Sequence, residues 1–315
     1  ASNYNTNFWT GRGEGKQEVC VVEADEYDRS FLQLSPDVAI ITSMDADHLD
    51  IYGTEKSMQD AFIDFTKCIK SGGLLICKNN LARIKEMQAD KKILYAVSDI
   101  KAMAHACNIR IHEGSYVFDL VTNEHRLQDI VLNMGGMHNI ENVVAAITVA
   151  VQLGIDDDDI KSSVANFAGV KRRFEYIVKP APGSEGVVYI DDYAHHPEEL
   201  RALINSAKEL FPGRKCSVIF QPHLFSRTKD LATEFAAVLD LADEAVLLPI
   251  YPARELPMEG VTSQLILDKM NSKHKWIKDK NELPGWLADR KQSLLISAGA
   301  GDIDRMVTII KERLQ

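Results

Sequence analysis

Two acidic clusters in the first fifty residues carry side chains suited to a divalent cation. Glu23 opens the string Glu-Ala-Asp-Glu-Tyr-Asp after one apolar run, and His48 lies in the string Asp-Ala-Asp-His-Leu-Asp after another. Magnesium prefers carboxylate oxygens and keeps several of its waters. We therefore interpret the two strings as a candidate metal site, with simple capping of the following turns as the alternative.

A glycine pair introduces a candidate anion site. Gly135 and Gly136 precede His138, Asn139 and Asn142 at the start of an alanine-rich stretch. Glycine permits the positive φ that a tight turn needs, and a helix N-terminus attracts anions. The two asparagines are three residues apart and share a helix face. The alternative for Asn139 is a plain N-cap.

Two clusters near the middle of the chain combine basic and acidic groups. Arg173 belongs to the string Lys-Arg-Arg-Phe at residues 171–174, and Asp192 belongs to the string Asp-Asp-Tyr-Ala-His-His-Pro-Glu at residues 191–198. Basic residues between two domains can clamp phosphate, and an aspartate there can accept from a sugar hydroxyl. The alternatives are a solvated basic patch and an ordinary helix cap.

The string Gln-Pro-His-Leu-Phe-Ser-Arg-Thr occupies residues 221–228. His223 and Arg227 within it can face a small anionic group such as a carboxylate, or they belong to an ordinary polar loop. Another string, residues 11–16, resembles a phosphate loop but does not fit the pattern G-x-x-x-x-G-K-[ST]. We therefore find no phosphate-binding loop of that type in the sequence.

Short apolar segments that alternate with longer amphipathic ones must position these residues, and this alternation is typical of an α/β fold. The predicted strands are residues 18–23, 38–42, 74–78, 115–122, 186–191, 216–221, 244–249 and 293–297. The predicted helices are residues 57–69, 136–153, 197–210, 229–241, 262–270 and 301–313. The second half reads as a Rossmann-like parallel sheet, in which ligands lie beyond the carboxyl ends of the strands. Its unusual residues cluster at those ends.

Bulk properties narrow the class of protein. A length of 315 residues suits two domains, and the net charge of -10 argues against a nucleic-acid partner. The five cysteines have no C-x-x-C spacing, which indicates thiols in a reducing cytoplasm. No apolar run reaches the length of about 18 residues that membrane insertion needs.

Together the strings resemble the Mur ligases, ATP-dependent amide-forming enzymes of peptidoglycan precursor synthesis, over effectively the whole chain. Six motifs occur in the order of that family: residues 23–31, 47–48, 138–142, 172–174, 191–197 and 221–228. The last motif resembles the members that join L-alanine to UDP-N-acetylmuramate. The related murein-peptide ligase shares much of the front half.

The resemblance implies a role for each matching position. Glu23 would bind Mg²⁺ and His48 a second metal, while Asn142, with His138 and Asn139, would contact the adenine of ATP. The remaining positions would act near the reacting groups: Arg173 on phosphate, Asp192 on the ribose, and His223 and Arg227 on the alanine and an acyl phosphate. Of these, His48, Arg173, His223 and Arg227 form the expected catalytic set.

The resemblance also implies a domain organisation. Residues 1–169 correspond to the C-terminal part of a central ATP-binding domain, a mixed sheet with helices, and residues 170–315 to a Rossmann-like C-terminal ligase domain. The family's phosphate loop and UDP-binding domain would precede this sequence, so we expect the 315 residues alone to be inactive. A non-catalytic nucleotide-binding module and a metal-dependent hydrolase are the competing functions.

Two positions depart from the family. Leu224 occupies a position that is basic in some relatives, which weakens the expected contacts to the alanine carboxylate. Some Mur ligases carry a carbamylated lysine after the aspartate–histidine motif. Lys67 is the nearest lysine here, and we assign it no such role.

Overall fold

The computed structural model describes residues 19–45, 48–123, 125–181 and 183–315. The first half of the chain forms a six-stranded sheet with the strands side by side in chain order. The strands are β1 (Val38–Ile41), β2 (Leu74–Lys78), β3 (Lys91–Val97), β4 (Ala104–His112), β5 (Ser115–Thr122) and β6 (Arg126–Leu132). β1 to β4 are parallel to one another, and β5 and β6 continue the sheet antiparallel.

Four helices accompany this sheet: α1 (Leu49–Tyr52), α2 (Glu55–Lys67), α3 (Met137–Gln152) and α4 (Asp157–Ala165). β2 is apolar on both faces and almost entirely buried, as expected for a parallel strand covered on both sides. α3 buries one face, including Ile140, Val144 and Ile147. In α4, Asp156 accepts a hydrogen bond from the Asp158 amide, so the acidic run of residues 156–159 serves as a helix cap.

The second half forms another six-stranded sheet, in the order β11-β10-β9-β12-β8-β7. Its strands are β7 (Glu175–Val178), β8 (Val188–Asp192), β9 (Cys216–Phe220), β10 (Glu244–Leu247), β11 (Lys275–Ile277) and β12 (Leu294–Ala298). All neighbours pair parallel except β7, which pairs antiparallel with β8 at the edge. The expected α/β class, a mixed sheet followed by a Rossmann-like sheet, is therefore confirmed.

Six helices accompany the second sheet: α5 (Pro197–Leu210), α6 (Phe225–Asp230), α7 (Ala232–Leu239), α8 (Gln264–Leu267), α9 (Leu283–Ala288) and α10 (Val307–Leu314). α5 begins at Pro197, whose missing N–H costs nothing at a first helical position. None of the helices among the described residues has both the length and the apolar run needed to cross a bilayer.

The two halves share one continuous apolar core, and polar contacts tie them together along a seam. The Tyr176 hydroxyl donates to the Gly114 carbonyl at 2.7 Å, and Lys179 Nζ donates to Ser115 Oγ at 2.9 Å. Phe211 lies so close to Gly114 that a Cβ there would meet its ring at 2.2 Å. The second sheet is thus held against the β4–β5 hairpin of the first.

Several predicted elements differ from the structure. The predicted strand at residues 18–23 is wrong for its described part: residues 19–23 pair with no strand among the described residues, and Val21 is 91% exposed. A strand needs a hydrogen-bonding neighbour, and the apolar pattern alone does not supply one. The helix predicted at residues 229–241 is divided at Leu231, whose φ of -112° departs from helical geometry.

Two more predicted helices are shorter than expected. Only Gln264–Leu267 of residues 262–270 is α-helical, and residues 301–313 begin with a 3₁₀ turn at Asp302–Met306. The predicted strands also omit β3, β4 and β6. They omit the edge strand β7 and the short strand β11 because each is brief and only half-buried. Strands of that kind carry little periodicity.

Candidate active site

Loops that follow three parallel strands of the second sheet, β8, β9 and β10, meet at its carboxyl edge. His223 follows β9, and its ring stacks on Tyr251, after β10, with centroids 5.8 Å apart and 16° between the planes. His195, after β8, contacts His223 edge-on at 6.0 Å. Parallel strands bring their carboxyl ends together, which is why side chains far apart in sequence form one cluster.

This cluster contains two buried nitrogens without a partner in the described part of the chain, His223 Nδ1 and Arg227 Nη1. Burying a polar group without a hydrogen bond costs about 1–3 kcal/mol, so such atoms in a native fold call for a ligand or a water. Burial, the Arg227 charge and His195 together lower the pKa of His223. A neutral imidazole and a permanent cation that lie side by side can together bind a small carboxylate.

Arg172 makes its contacts inside the protein. Its guanidinium lies 3.4 Å from Asp191 Oδ2, donates to the Gly299 carbonyl and stacks 5.1 Å from the Tyr193 ring centroid. Asp191 itself is almost fully buried, and burial raises its pKa to about 6 although Ser297 and Arg172 oppose the change. Of the basic string at residues 171–174, Arg172 is therefore already engaged inside the protein.

Arg173, Asp192 and His138 lie close enough for their charges to interact. The charges of Asp192 and Arg173 act in opposite directions on the pKa of His138, which partial desolvation lowers. The Arg173 side chain is exposed. Asp192 accepts from the amides of Phe174 at 2.6 Å and Ala194 at 2.7 Å, and burial raises its pKa. The structure thus brings three of the predicted nucleotide-contacting residues to one place.

The glycine pair adopts the predicted special geometry at the start of α3. Gly136 has a φ of 95°, and a Cβ on Gly135 would meet the Phe174 ring at 2.2 Å. Asn139 Nδ2 donates to the Gly135 carbonyl at 2.7 Å. Asn139 is therefore not the N-cap, which is Gly136, because the glycine turn starts the helix three residues earlier. Asn142 is exposed one turn further on.

The candidate metal residues are less closely assembled. His48 Nε2 lies 3.6 Å from Glu26 Oε1, and the His48 ring meets Tyr27 edge-on at 5.1 Å. Glu23 is exposed. Asp47 lies outside the described residues. Among the residues that are described, no group of three or more acidic, histidine or cysteine side chains is arranged around a common point.

The chemistry of this donor set nevertheless fits magnesium at its carboxylates. Glu23 and Glu26 offer oxygens, and Mg²⁺ is bound through only one or two carboxylates with waters completing its shell. The imidazole of His48 suits transition metals better than magnesium. Asp25 and Asp28 instead accept from the amides of residues 27 and 30, as turn caps do.

Comparisons with known proteins identify the family of this chain. The Mur ligase middle domain matches residues 10–150, and the Mur ligase, glutamate ligase domain matches residues 172–301. The UDP-N-acetylmuramate–L-alanine ligase of Porphyromonas gingivalis is 42% identical over 317 residues, which cover 100% of this chain and 68% of that protein. The chain belongs to the Mur ligase family.

Other members of the Mur ligase family are also similar to this chain. The UDP-N-acetylmuramate–L-alanine ligase of Flavobacterium johnsoniae is 46% identical over 99% of this chain, which spans 66% of that relative's length. The crystal structure of MurC from Thermotoga maritima superposes with a TM-score of 0.73 at 26% identity, over 92% of this chain and 62% of that one. A MurF ligase from Thermotoga maritima, solved in complex with ADP, shares the fold with a TM-score of 0.61 at 18% identity.

The sequence predicts no role for two residues of this candidate site. Tyr251 and Glu255 lie in the loop after β10 and contact the turn that carries His223 and Arg227. The only signal in the sequence was the position of residues 249–255 at a strand end. That signal locates the loop but does not say which of its side chains reach the neighbouring turn.

Proposed function

We propose that this chain acts in the ATP-dependent joining of L-alanine to the carboxylate of UDP-N-acetylmuramate. The observation that carries the proposal is the pair of buried, unpartnered nitrogens on His223 and Arg227. They occupy the carboxyl edge of the second sheet, where α/β folds bind ligands. Relatives that share over 40% identity along nearly the whole chain are named for this reaction.

In the proposed first step, the muramate carboxylate attacks the γ-phosphorus of ATP and ADP leaves, which produces an acyl phosphate. Catalysis of phosphoryl transfer consists mostly of positioning and charge neutralisation. Arg173 provides an exposed cation beside Asp192, suited to phosphate and ribose respectively. His138, Asn139 and Asn142 at the start of α3 are suited to the adenine. These residues fit a nucleotide that lies across the linker between the sheets.

Glu23 and Glu26 are the residues we assign to magnesium, with His48 next to them. A bound magnesium ion would neutralise charge on the phosphates. Because His48 already lies beside Glu26, we assign it the role of holding that carboxylate in place, and its direct ligation of a second metal stays a prediction.

In the proposed second step, the amine of alanine attacks the acyl carbon and phosphate leaves. Arg227 and neutral His223 would hold the alanine carboxylate, so that the amine faces the acyl phosphate. Holding two reactants in a productive geometry contributes several kcal/mol to catalysis, on the order of 7–11 in the best intramolecular cases. This assignment gives both unpartnered nitrogens an acceptor.

We further propose that the ATP-binding part ends near residue 169 and that residues 170–315 form the amino-acid-binding part. In support, the two family matches leave residues 151–171 between them. We assign the reaction to the cytoplasm, because all five cysteines are free thiols and reducing compartments keep thiols in that state.

The test is ADP release by the complete gene product, supplied with ATP, Mg²⁺, UDP-N-acetylmuramate and each of several amino acids. We expect release that needs both the sugar nucleotide and L-alanine. Release with a murein tripeptide in place of alanine would transfer the assignment to the murein-peptide ligases. No release under any combination would favour a nucleotide-binding module.

The 315-residue chain is the natural comparison in this assay. Its sequence contains no G-x-x-x-x-G-K-[ST] string, so it lacks the amides and lysine that cradle phosphates in such loops. We expect it to release no ADP. Alanine-dependent release by the 315 residues alone would contradict that expectation.

A further inference from the structure

The loop after β10 holds the turn that carries His223 and Arg227 through its backbone. The Leu224 amide donates to the Tyr251 carbonyl at 2.9 Å, and the Tyr251 amide donates to the Pro222 carbonyl at 2.8 Å. These two bonds form a parallel bridge between His223 and Tyr251 beyond the end of the sheet. The pairing of β9 with β10 thus continues into the candidate site.

The carboxylate of Glu255, in the same loop, makes a further contact with this turn. Glu255 Oε2 accepts from the Ser226 amide at 2.9 Å, and Glu255 Oε1 accepts from Ser226 Oγ. Ser226 is the second residue of α6, so the negative charge lies at the end of the helix where amides are unpaired. The hydrogen bonds from Ser226 lower the pKa of Glu255, which keeps it ionised.

The turn needs such support because its backbone is unusual. Leu224 has a φ of 70°, a conformation that residues with a side chain rarely adopt. Conformations of this kind persist where the surroundings fix them and cluster at functional sites. Leu224 lies between His223 and α6, so its geometry determines where His223 Nδ1 and Arg227 Nη1 lie relative to each other.

We propose that Glu255 is a positioning residue for the amino-acid substrate, which it affects by fixing the start of α6 and hence Arg227 and His223. The inference rests on the proposed function, in which those two side chains hold the alanine carboxylate. Glu255 itself hydrogen-bonds to Ser226, not to the substrate. It therefore acts on the binding of alanine and not on the binding of ATP or the sugar nucleotide.

The experiment compares Glu255→Ala, Glu255→Gln and Ser226→Ala in the complete gene product by steady-state kinetics. We expect Glu255→Ala to raise the KM for L-alanine about ten-fold, with the KM values for ATP and UDP-N-acetylmuramate changed less than about two-fold. Glu255→Gln keeps one oxygen acceptor and should recover part of the loss. Ser226→Ala removes only the hydroxyl and should have a smaller effect, which is not additive with Glu255→Ala.

Glu282 is a matched control in the same sheet domain. Its carboxylate also accepts a backbone N–H, that of Asp279 at 2.8 Å, but in the 3₁₀ turn Lys280–Glu282 that follows β11. We expect Glu282→Ala to leave the KM for alanine unchanged. An equal rise in both variants would mean general loosening of the domain and would overturn the positioning role.

Hydrogen exchange of the amides in residues 222–230 is a second readout that needs no activity. We expect faster exchange in Glu255→Ala than in Glu282→Ala. Faster exchange with an unchanged KM for alanine would overturn the positioning role, and unchanged exchange would overturn the proposed contact itself. If the wild-type protein releases no ADP with alanine, the proposed function fails, and exchange still decides whether Glu255 fixes this turn.

Discussion

The backbone amide of Phe174 donates a 2.6 Å hydrogen bond to Asp192 Oδ2, and this bond fixes the linker between the two sheets to the end of β8. The Phe174 ring in turn packs against Gly135, immediately before the start of α3. One short chain of contacts therefore joins the three parts of the proposed nucleotide site. Arg173 lies between these fixed points, and its side chain is exposed.

Gly135→Ala should strain this chain of contacts. A Cβ at position 135 would meet three atoms of the Phe174 ring at 2.2–2.5 Å, so the ring or the linker must move. Overpacking of this kind costs about 1–3 kcal/mol. We expect the free energy of unfolding, measured by urea denaturation, to fall by that amount, and the KM for ATP to rise.

Gly285→Ala is the control for this prediction. Apart from the backbone of helix α9 and the two chain neighbours, no atom of the described residues lies within 4 Å of a Cβ placed there. In a helix interior, alanine is more stable than glycine by about 0.5–1 kcal/mol. Gly285→Ala should therefore be neutral or stabilising. If Gly135→Ala were as stable as the wild-type protein, the close packing of Phe174 on Gly135 would be wrong.

The buried carboxylate of Asp191 should make stability depend on pH. Its pKa is about 6 in the folded protein against 3.8 for the unperturbed group. The folded state therefore binds more protons than the unfolded state between about pH 4 and pH 6, and this contribution to stability is lost as the pH rises through that window. The shift corresponds to about 3 kcal/mol.

Urea denaturation of the wild-type protein and of Asp191→Asn between pH 4 and pH 7 checks this prediction. The variant cannot ionise at that position, so its stability should fall less steeply with pH than that of the wild-type protein. Ser297→Ala removes a hydrogen bond that lowers the pKa of Asp191 and should move the window upward. Identical pH slopes for the wild-type protein and Asp191→Asn would contradict the assignment.

Some elements could be predicted from the sequence nearly residue by residue, because an apolar run or an amphipathic stretch of defined length has few alternatives. β2 lies at the predicted residues 74–78, and α5 at the predicted residues 197–210. Residues 19–23 show the limit of this reasoning. Their apolar pattern is that of a strand, but a strand depends on a neighbour that the pattern does not specify.

The candidate site also has a part that the sequence predicts and a part that it does not. The cluster around His223 could be predicted, because parallel strands place their carboxyl ends at one edge of the sheet. The contacts from Tyr251 and Glu255 could not, since they depend on how two loops fold against each other. The structural role of Arg172 could not be predicted for the same reason. Only its contacts with Asp191 and Gly299 distinguish its role from that of Arg173.

Arg227 provides the most direct test of the amino-acid site. If its unpartnered Nη1 binds the alanine carboxylate, Arg227→Ala removes a charged hydrogen bond worth about 1.5–3 kcal/mol. The KM for L-alanine should then rise roughly 10- to 150-fold. The midpoint of thermal unfolding should stay unchanged. Arg227→Lys keeps the charge but not the planar guanidinium. Its KM for L-alanine should lie between those of the wild-type protein and Arg227→Ala.

Arg201→Ala is the matched control for this change. Arg201 is a partly exposed cation of α5 that lies 3.5 Å from Glu198, in a pair of the kind that contributes at most about 1 kcal/mol. We expect no change in the KM for alanine in this variant. A loss of kcat in Arg227→Ala with an unchanged KM for alanine would mean that Arg227 stabilises the acyl phosphate instead. In that case the alanine carboxylate would have to be held by His223 and its neighbours alone.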